Sequence, residues 1–176
     1  MTEHLTWHPV TDRPDLLAGP VRAALEGSSW AASCEVAAID PDLADTQALV
    51  DATDVTLEEC ANCIVVLGRR GETERVAAGL VLATTRADVN TTIRKSLDVR
   101  KASFMPMDRA VADTGMEYGG ITPVGLPQDW PVLVDARVVA SGRVVIGSGI
   151  RGSKLRLPGP LVAELPGVQV IEGLAR

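Results

Sequence analysis

Cys63-Ile64-Val65-Val66-Leu67-Gly68 and Val76-Ala77-Ala78-Gly79-Leu80-Val81-Leu82-Ala83 are two short apolar runs joined by Arg69-Arg70-Gly71-Glu72 and the polar residues after it. Runs of this length, rich in β-branched residues and bounded by turn chemistry, predict buried strands, and their order predicts a hairpin. Further strands are expected over residues 34–39, 100–103, 132–135, 143–146, 155–157 and 168–171. Helices are expected over 43–50 with Asp42 or Asp45 as cap, from Asp88 to about Leu97 with Asp88 as cap, over 108–113, and over 158–165 with Pro at the start. Residues 12–25 begin with a capping signature, which Gly19-Pro20 would break or split. The strands are not separated by regular long helices. The pattern therefore predicts an α+β fold, with a mixed, largely antiparallel sheet surrounded by short helices.

The chain has 176 residues, which suits one domain. Aromatic residues make up only 3%, so the core must be built from Val, Leu, Ile and Ala. No apolar run reaches eighteen residues and the N-terminus shows no secretory pattern, so no membrane span and a cytoplasmic location are expected. The net charge of −6 lacks the overall basic footprint of strong nucleic-acid binders, so any RNA contact should be local, weak or helped by a partner. The three lysines are Lys95, Lys101 and Lys154. Both histidines, His4 and His8, lie at the N-terminus, which argues against a Ser-His-Asp hydrolase. Cys60-Ala61-Asn62-Cys63 has redox or metal-site spacing, but it runs into a strand rather than a helix and no second such pair exists. Incidental cysteines, or a Cys63 that lines a pocket, are the competing readings.

Residues 115–131 are rich in Gly and Pro, as in a linker or an ordered functional loop. Three segments here carry a resemblance. Thr114-Gly115-Met116-Glu117-Tyr118-Gly119-Gly120-Ile121-Thr122-Pro123-Val124-Gly125-Leu126-Pro127 contains G-x-x-x-P as Gly119 to Pro123. Pro131-Val132-Leu133-Val134-Asp135 is a strand ending in Asp. Gly147-Ser148-Gly149-Ile150-Arg151-Gly152-Ser153-Lys154-Leu155 reads G-x-G-x-R-G-x-x-L. With this spacing the chain resembles the YbaK / prolyl-tRNA-synthetase-associated editing domain family, clearly over about 55–172. Residues 1–54 are weakly patterned.

The resemblance implies a YbaK-like single domain over residues 1–176 that hydrolyses the ester between an amino acid and the 3′-terminal adenosine of a mischarged tRNA. It implies no metal or organic cofactor. The tRNA 3′ end is the expected partner, and an aminoacyl-tRNA synthetase a further one. A glycine-rich loop stiffened by proline can present preorganised backbone donors to an oxyanion. On this reading Gly119, Gly120, Thr122 and Pro123 are catalytic candidates. Substrate-binding candidates are Cys63, Gly125, Asp135, Gly147, Ser148, Gly149, Arg151 and Lys154. Arg151 and Lys154 would contact terminal phosphates or lie in a solvated turn. Asp135 would brace the pocket or end a strand.

The family pattern at the first strand of the hairpin looks like K-T-L-V-V, and here its lysine position holds Asn62. Losing a charge-assisted hydrogen bond costs about 1.5–3 kcal/mol. The expectation is thus a deacylase, weakened or redirected, with Asn62 holding a water or amine. The alternative is a non-catalytic binding module for aminoacyl-tRNA ends, amino acids or nucleotides.

Overall fold

The computed structural model describes residues 2–176. Among these residues nine strands form two sheets. In chain order the strands are β1 (His8–Pro9), β2 (Glu35–Ala38), β3 (Ala61–Arg70), β4 (Thr73–Leu82), β5 (Lys101–Phe104), β6 (Val132–Asp135), β7 (Val144–Gly147), β8 (Ser153–Leu157) and β9 (Val168–Ile171). The helices are α1 (Gly19–Leu25), α2 (Thr46–Ala52), α3 (Arg94–Ser96), α4 (Met107–Thr114) and α5 (Ala136–Ala140), with short 3₁₀ turns between them and a π-helical turn, Val89–Ile93, leading into α3.

The expected hairpin is present. β3 and β4 pair antiparallel in continuous register from Ala61↔Leu82 to Arg70↔Thr73. They form the centre of a five-stranded sheet of order β5-β3-β4-β6-β9, in which β4–β6 and β6–β9 run parallel. A four-stranded sheet of order β1-β2-β8-β7 is antiparallel throughout. The mixed, largely antiparallel strand pattern is thus divided between two sheets. They meet where Cys60 bridges Val145, just before β3.

Alternation explains the layering, because successive strand residues face opposite sides. Ala78 and Leu80 of β4, with Val132 and Val134 of β6, pack toward Val36, Ile146 and Leu155 of the other sheet. Ala77, Val81 and Leu133 face the opposite way, into a second cluster with Ile93, Leu97 and Leu174. β6 is buried at all four positions because both of its faces are covered. Each such Val or Leu side chain contributes about 1.5–3 kcal/mol through burial. The outer face of the second sheet is covered by α2, whose Leu49 packs with Val55, Cys60 and Val145.

Local signals explain most of the helices. Asp45 accepts from the N–H groups of Gln47 and Ala48 and so starts α2. Asp88 caps the turn that leads into α3, accepting from Thr91 N–H. Gly19-Pro20 does split the 12–25 segment. A 3₁₀ turn at Pro14–Leu16 precedes α1, and Asp12 caps neither. Helix α5 was not expected; Asp135, read as a strand end, also starts it. Residues 2–54 supply β1, the interior strand β2 and α2.

Candidate active site at the seam of the two sheets

A cavity of about 430 Å³ opens where α2, the start of β3, and the β7–β8 hairpin converge. That volume suits a small organic group. Ala44, Asp45 and Thr46 form one wall, and Cys60, Asn62 and Cys63 another. Gly119, Gly147, Arg151 and Lys154 complete it, with Tyr118 at the edge. Tyr118 is 55% exposed.

Lys154 is the dominant charge. The residue is only 8% exposed, and its Nζ donates to the Ala44 carbonyl at 2.8 Å. Among the described residues no carboxylate pairs with it. Burial pushes its pKa down from the ordinary lysine value; Cys60 and Asp45 oppose that shift and Arg151 adds to it. Strand alternation places it: Leu155 and Leu157 enter the inter-sheet core, so Lys154 faces the α2 side.

Asn62 sits in the second position of β3. Its Oδ1 accepts from Thr46 Oγ1 at 2.8 Å. With that oxygen engaged, the donors Asn62 retains are its two Nδ2 protons. Arg151 straps the loop to the sheet. Its Nη1 donates to the Tyr118 carbonyl at 3.2 Å, its Nη2 to the Pro41 carbonyl at 3.0 Å, and its backbone N–H to Glu117 Oε2 at 2.7 Å. Gly119 adopts φ +82°, and a Cβ there would come within 2.9 Å of Arg151 Nη1. The positive φ favours glycine at that position, and its missing side chain lets the guanidinium lie close to the loop backbone.

The structure thus brings together Asn62, Cys63, Gly119, Gly147, Arg151 and Lys154. It places the other candidates elsewhere. Gly120 does not offer a free donor: its N–H is used by the Glu117 carbonyl at 2.9 Å, and its own carbonyl accepts from Gly149 N–H at 2.7 Å. Thr122 is fully buried away from the cavity, and its hydroxyl has no hydrogen-bond partner. Pro123 and Gly125 line a separate hollow with Trp30, Leu126 and Leu165. Ser148 is buried and bonded to Ser153 Oγ at 2.6 Å. Gly149, at φ +89°, packs against Ala18 and Val21.

Asp135 is also remote from the cavity. It accepts from Arg137 Nε at 2.8 Å, Arg137 N–H at 3.0 Å and Ala175 N–H at 2.9 Å. Burial raises its pKa, but these hydrogen bonds outweigh burial and hold the carboxyl below the usual carboxylate value. Its role is to tie the C-terminal segment to β6.

Cys60 and Cys63 both line the cavity although they are an odd three positions apart. Cys60 precedes β3 and is not subject to its alternation. Burial pushes the Cys60 thiol up to about 11, with Lys154 partly opposing the rise. Cys63 keeps some exposure along the wall, yet burial pushes its thiol up to about 12. Both are protonated at neutral pH, the form that is neither nucleophile nor metal ligand. Sequence reasoning did not single out Thr46 or Tyr118 as site residues. Tyr118 lay in plain view inside the glycine-rich motif, whereas nothing local marks Thr46.

The chain is thus an α+β protein of two packed sheets with a small, cation-bearing cavity at their seam. The chain matches the family described as the aminoacyl-tRNA editing domain over residues 40–165, and it belongs to that family. Solved structures agree in fold. A proposed trans-editing enzyme for prolyl tRNA synthetase superposes with a TM-score of 0.73 at 20% identity, covering 88% of this chain and 94% of that one. A scaffold protein from computational epitope-backbone grafting gives 0.74 at 20%, covering 88% and 95%. A hypothetical protein gives 0.70 at 19%, covering 87% and 97%. No curated protein matches the chain. No helix of the described residues is long and apolar enough to cross a membrane.

Proposed function

We propose that the seam cavity takes the 3′-terminal aminoacyl-adenosine of a mischarged tRNA and hydrolyses its ester. The observation that carries this reading is a buried ammonium without a carboxylate partner, Lys154, facing a cavity that also holds the Asn62 amide. Burying a lone cation is costly unless something compensates it. An oxyanion that develops during reaction is such a compensation, and it is stabilised most where water is excluded. The depth of Lys154 suits that oxyanion better than a hydrated terminal phosphate. Arg151, at the rim and only partly buried, is the residue for the phosphate.

In the reaction a water attacks the ester carbonyl carbon. The carbonyl oxygen takes up negative charge near Lys154 Nζ, with an Asn62 Nδ2 proton as second donor. The C–O bond to the ribose then breaks, and the ribose oxygen leaves with the proton released by the water. The products are a free amino acid and a tRNA with its terminal hydroxyl restored. Gly119 leaves room for the ribose beside Arg151. Cys63 gives the cavity wall its shape and takes no part in the chemistry.

A second reading is a binding module that holds the same end without turnover. It is favoured by the side chains available as a base: both thiols are pushed far up, and Asp45 is engaged in capping α2. The deciding experiment is release of amino acid from a panel of aminoacyl-tRNAs, starting with alanyl- and cysteinyl-tRNA of the proline acceptor. Hydrolysis above buffer that falls in Lys154→Met supports the enzyme. Ligand-induced stabilisation without release supports the binding module. Cytoplasmic translation quality control, in concert with a synthetase, is the setting that the enzyme reading implies.

A further inference from the structure

A second cavity, of about 700 Å³, lies at the other end of β3, beside the edge strand β5. Arg69, Arg94, Arg100 and Lys101 line it together with Phe104, and no acidic residue does. In a chain of net charge −6 this is a segregated basic patch. Arg69 pairs with Glu74 at 2.7 Å, and Arg94 Nε donates to the Asn90 carbonyl at 2.7 Å. Among the described residues Arg100 and Lys101 pair with no carboxylate. Phe104, the single phenylalanine, is 63% exposed at the end of β5. An exposed aromatic beside unpaired cations is the pairing that binds single-stranded nucleic acid: the cations follow the phosphates and the ring stacks on a base.

We propose that this groove is an RNA-backbone site that grips the acceptor strand of tRNA while its aminoacyl end enters the seam cavity. The inference rests on the deacylase reading for the identity of the RNA. Charge complementarity selects a polyanion, and Phe104 selects one with exposed base faces. From Cys63 in the seam cavity to Arg69 in the groove, two positions that alternation puts on one face of β3, the strand advances six residues, roughly 20 Å at a β rise. One strand therefore carries both sites, at a separation that a short unpaired 3′ overhang spans.

The test uses the full chain, with Arg100→Glu/Lys101→Glu and, separately, Phe104→Ala. Binding of an uncharged proline tRNA transcript is followed by fluorescence anisotropy across a salt series, and hydrolysis is measured on both aminoacyl-tRNA and alanyl-adenosine. The double variant is expected to bind tRNA on the order of tenfold more weakly. Its slope of log affinity against log salt should shrink by about 1.4, for two lost single-strand phosphate contacts. Phe104→Ala should weaken binding with the slope unchanged. Both should cleave alanyl-adenosine like the wild type. Wild-type tRNA binding that is unmeasurable, or that is unaltered in affinity and slope by the double variant, overturns the groove, including the case in which it serves an acidic protein segment. Wild-type failure to hydrolyse either substrate while tRNA binding tracks the groove sinks the deacylase reading and leaves the RNA site standing.

Discussion

Lys154 Nζ donates to the backbone carbonyl of Ala44 at 2.8 Å, across 110 residues of sequence. The bond fixes the cavity's cation against the wall that leads into α2. It spends one of three ammonium protons and leaves two for a ligand.

Lys154→Met keeps the length of the side chain and removes the charge. Losing a preorganised oxyanion donor costs about 10²–10³-fold in kcat, and a fall of that order is expected in single-turnover deacylation. Thermal stability at neutral pH should not fall, because an uncompensated buried ammonium is removed. A large stability loss with unchanged kcat would overturn the assigned role.

The same lysine sets a pH dependence. Its folded pKa lies below the ordinary value of 10.5, so the unfolded chain binds its proton more tightly. Stability therefore rises with pH between the lowered folded value and 10.5, where the unfolded state holds more protons. Wild type should gain stability relative to Lys154→Met as pH is raised through that window, measured by urea unfolding at stepped pH. A parallel pair of curves would show that the ammonium is not buried.

Asp135→Asn tests a residue that the sequence placed near the site and the structure places outside it. The variant loses the charged acceptor for Arg137 and the Ala175 N–H. A loss of about 1.5 kcal/mol is expected, at the low end of the range for hydrogen bonds to charged groups, because Arg137 is half exposed and partly screened. The Asp135 carboxyl titrates below its usual 3.8 in the fold, so its contribution is present above that value and lost as pH falls through the lowered one. The kcat for deacylation should be unchanged.

The hairpin of β3 and β4 was legible because two apolar runs and a turn are local facts. The division into two sheets was not. It depends on β2 meeting β8 at Ala37↔Lys154, a pairing that no local signal encodes. The glycine-rich loop was legible as a unit, but the roles of its glycines were not. Gly119 borders the cavity, whereas Gly120 is held against Ile150, and only tertiary contact separates two adjacent identical residues. Thr122 looked like a hydroxyl on a functional loop, yet the chain turns it into the interior. Asn62 was found because the resemblance marked its position. Lys154 as the deep cation required knowing which face of β8 meets α2.

The cysteines carry a prediction in labelling. With Cys60 at about 11 and Cys63 at about 12, the thiolate fraction at pH 7.5 is at least about a hundredfold below that of a free cysteine. Iodoacetamide should modify the native protein slowly at that pH and rapidly after unfolding. Stoichiometric native labelling within minutes would show an activated thiol and reopen the Cys60–Cys63 pair as chemistry.

Thr46 offers the sharpest test of the Asn62 assignment, because its hydroxyl is bonded to the Asn62 amide oxygen. Thr46→Val removes the 2.8 Å bond to Asn62 Oδ1 and leaves the Asp45 cap of α2 in place. Thr46 is half-buried, and the stability change should stay within the range for one lost hydrogen bond, about 0.5–1.5 kcal/mol. A freed amide can rotate its oxygen toward the cavity, where it would repel a developing oxyanion, so kcat should fall about tenfold with KM little changed. If Thr46 acts by orienting Asn62, the effect must vanish once the amide is gone. Thr46→Val/Asn62→Ala should then be no slower than Asn62→Ala alone, a non-additivity that a double-mutant cycle reads directly. Additive losses would mean that Thr46 meets the substrate itself, and that Asn62 is held in place for packing rather than for the carbonyl.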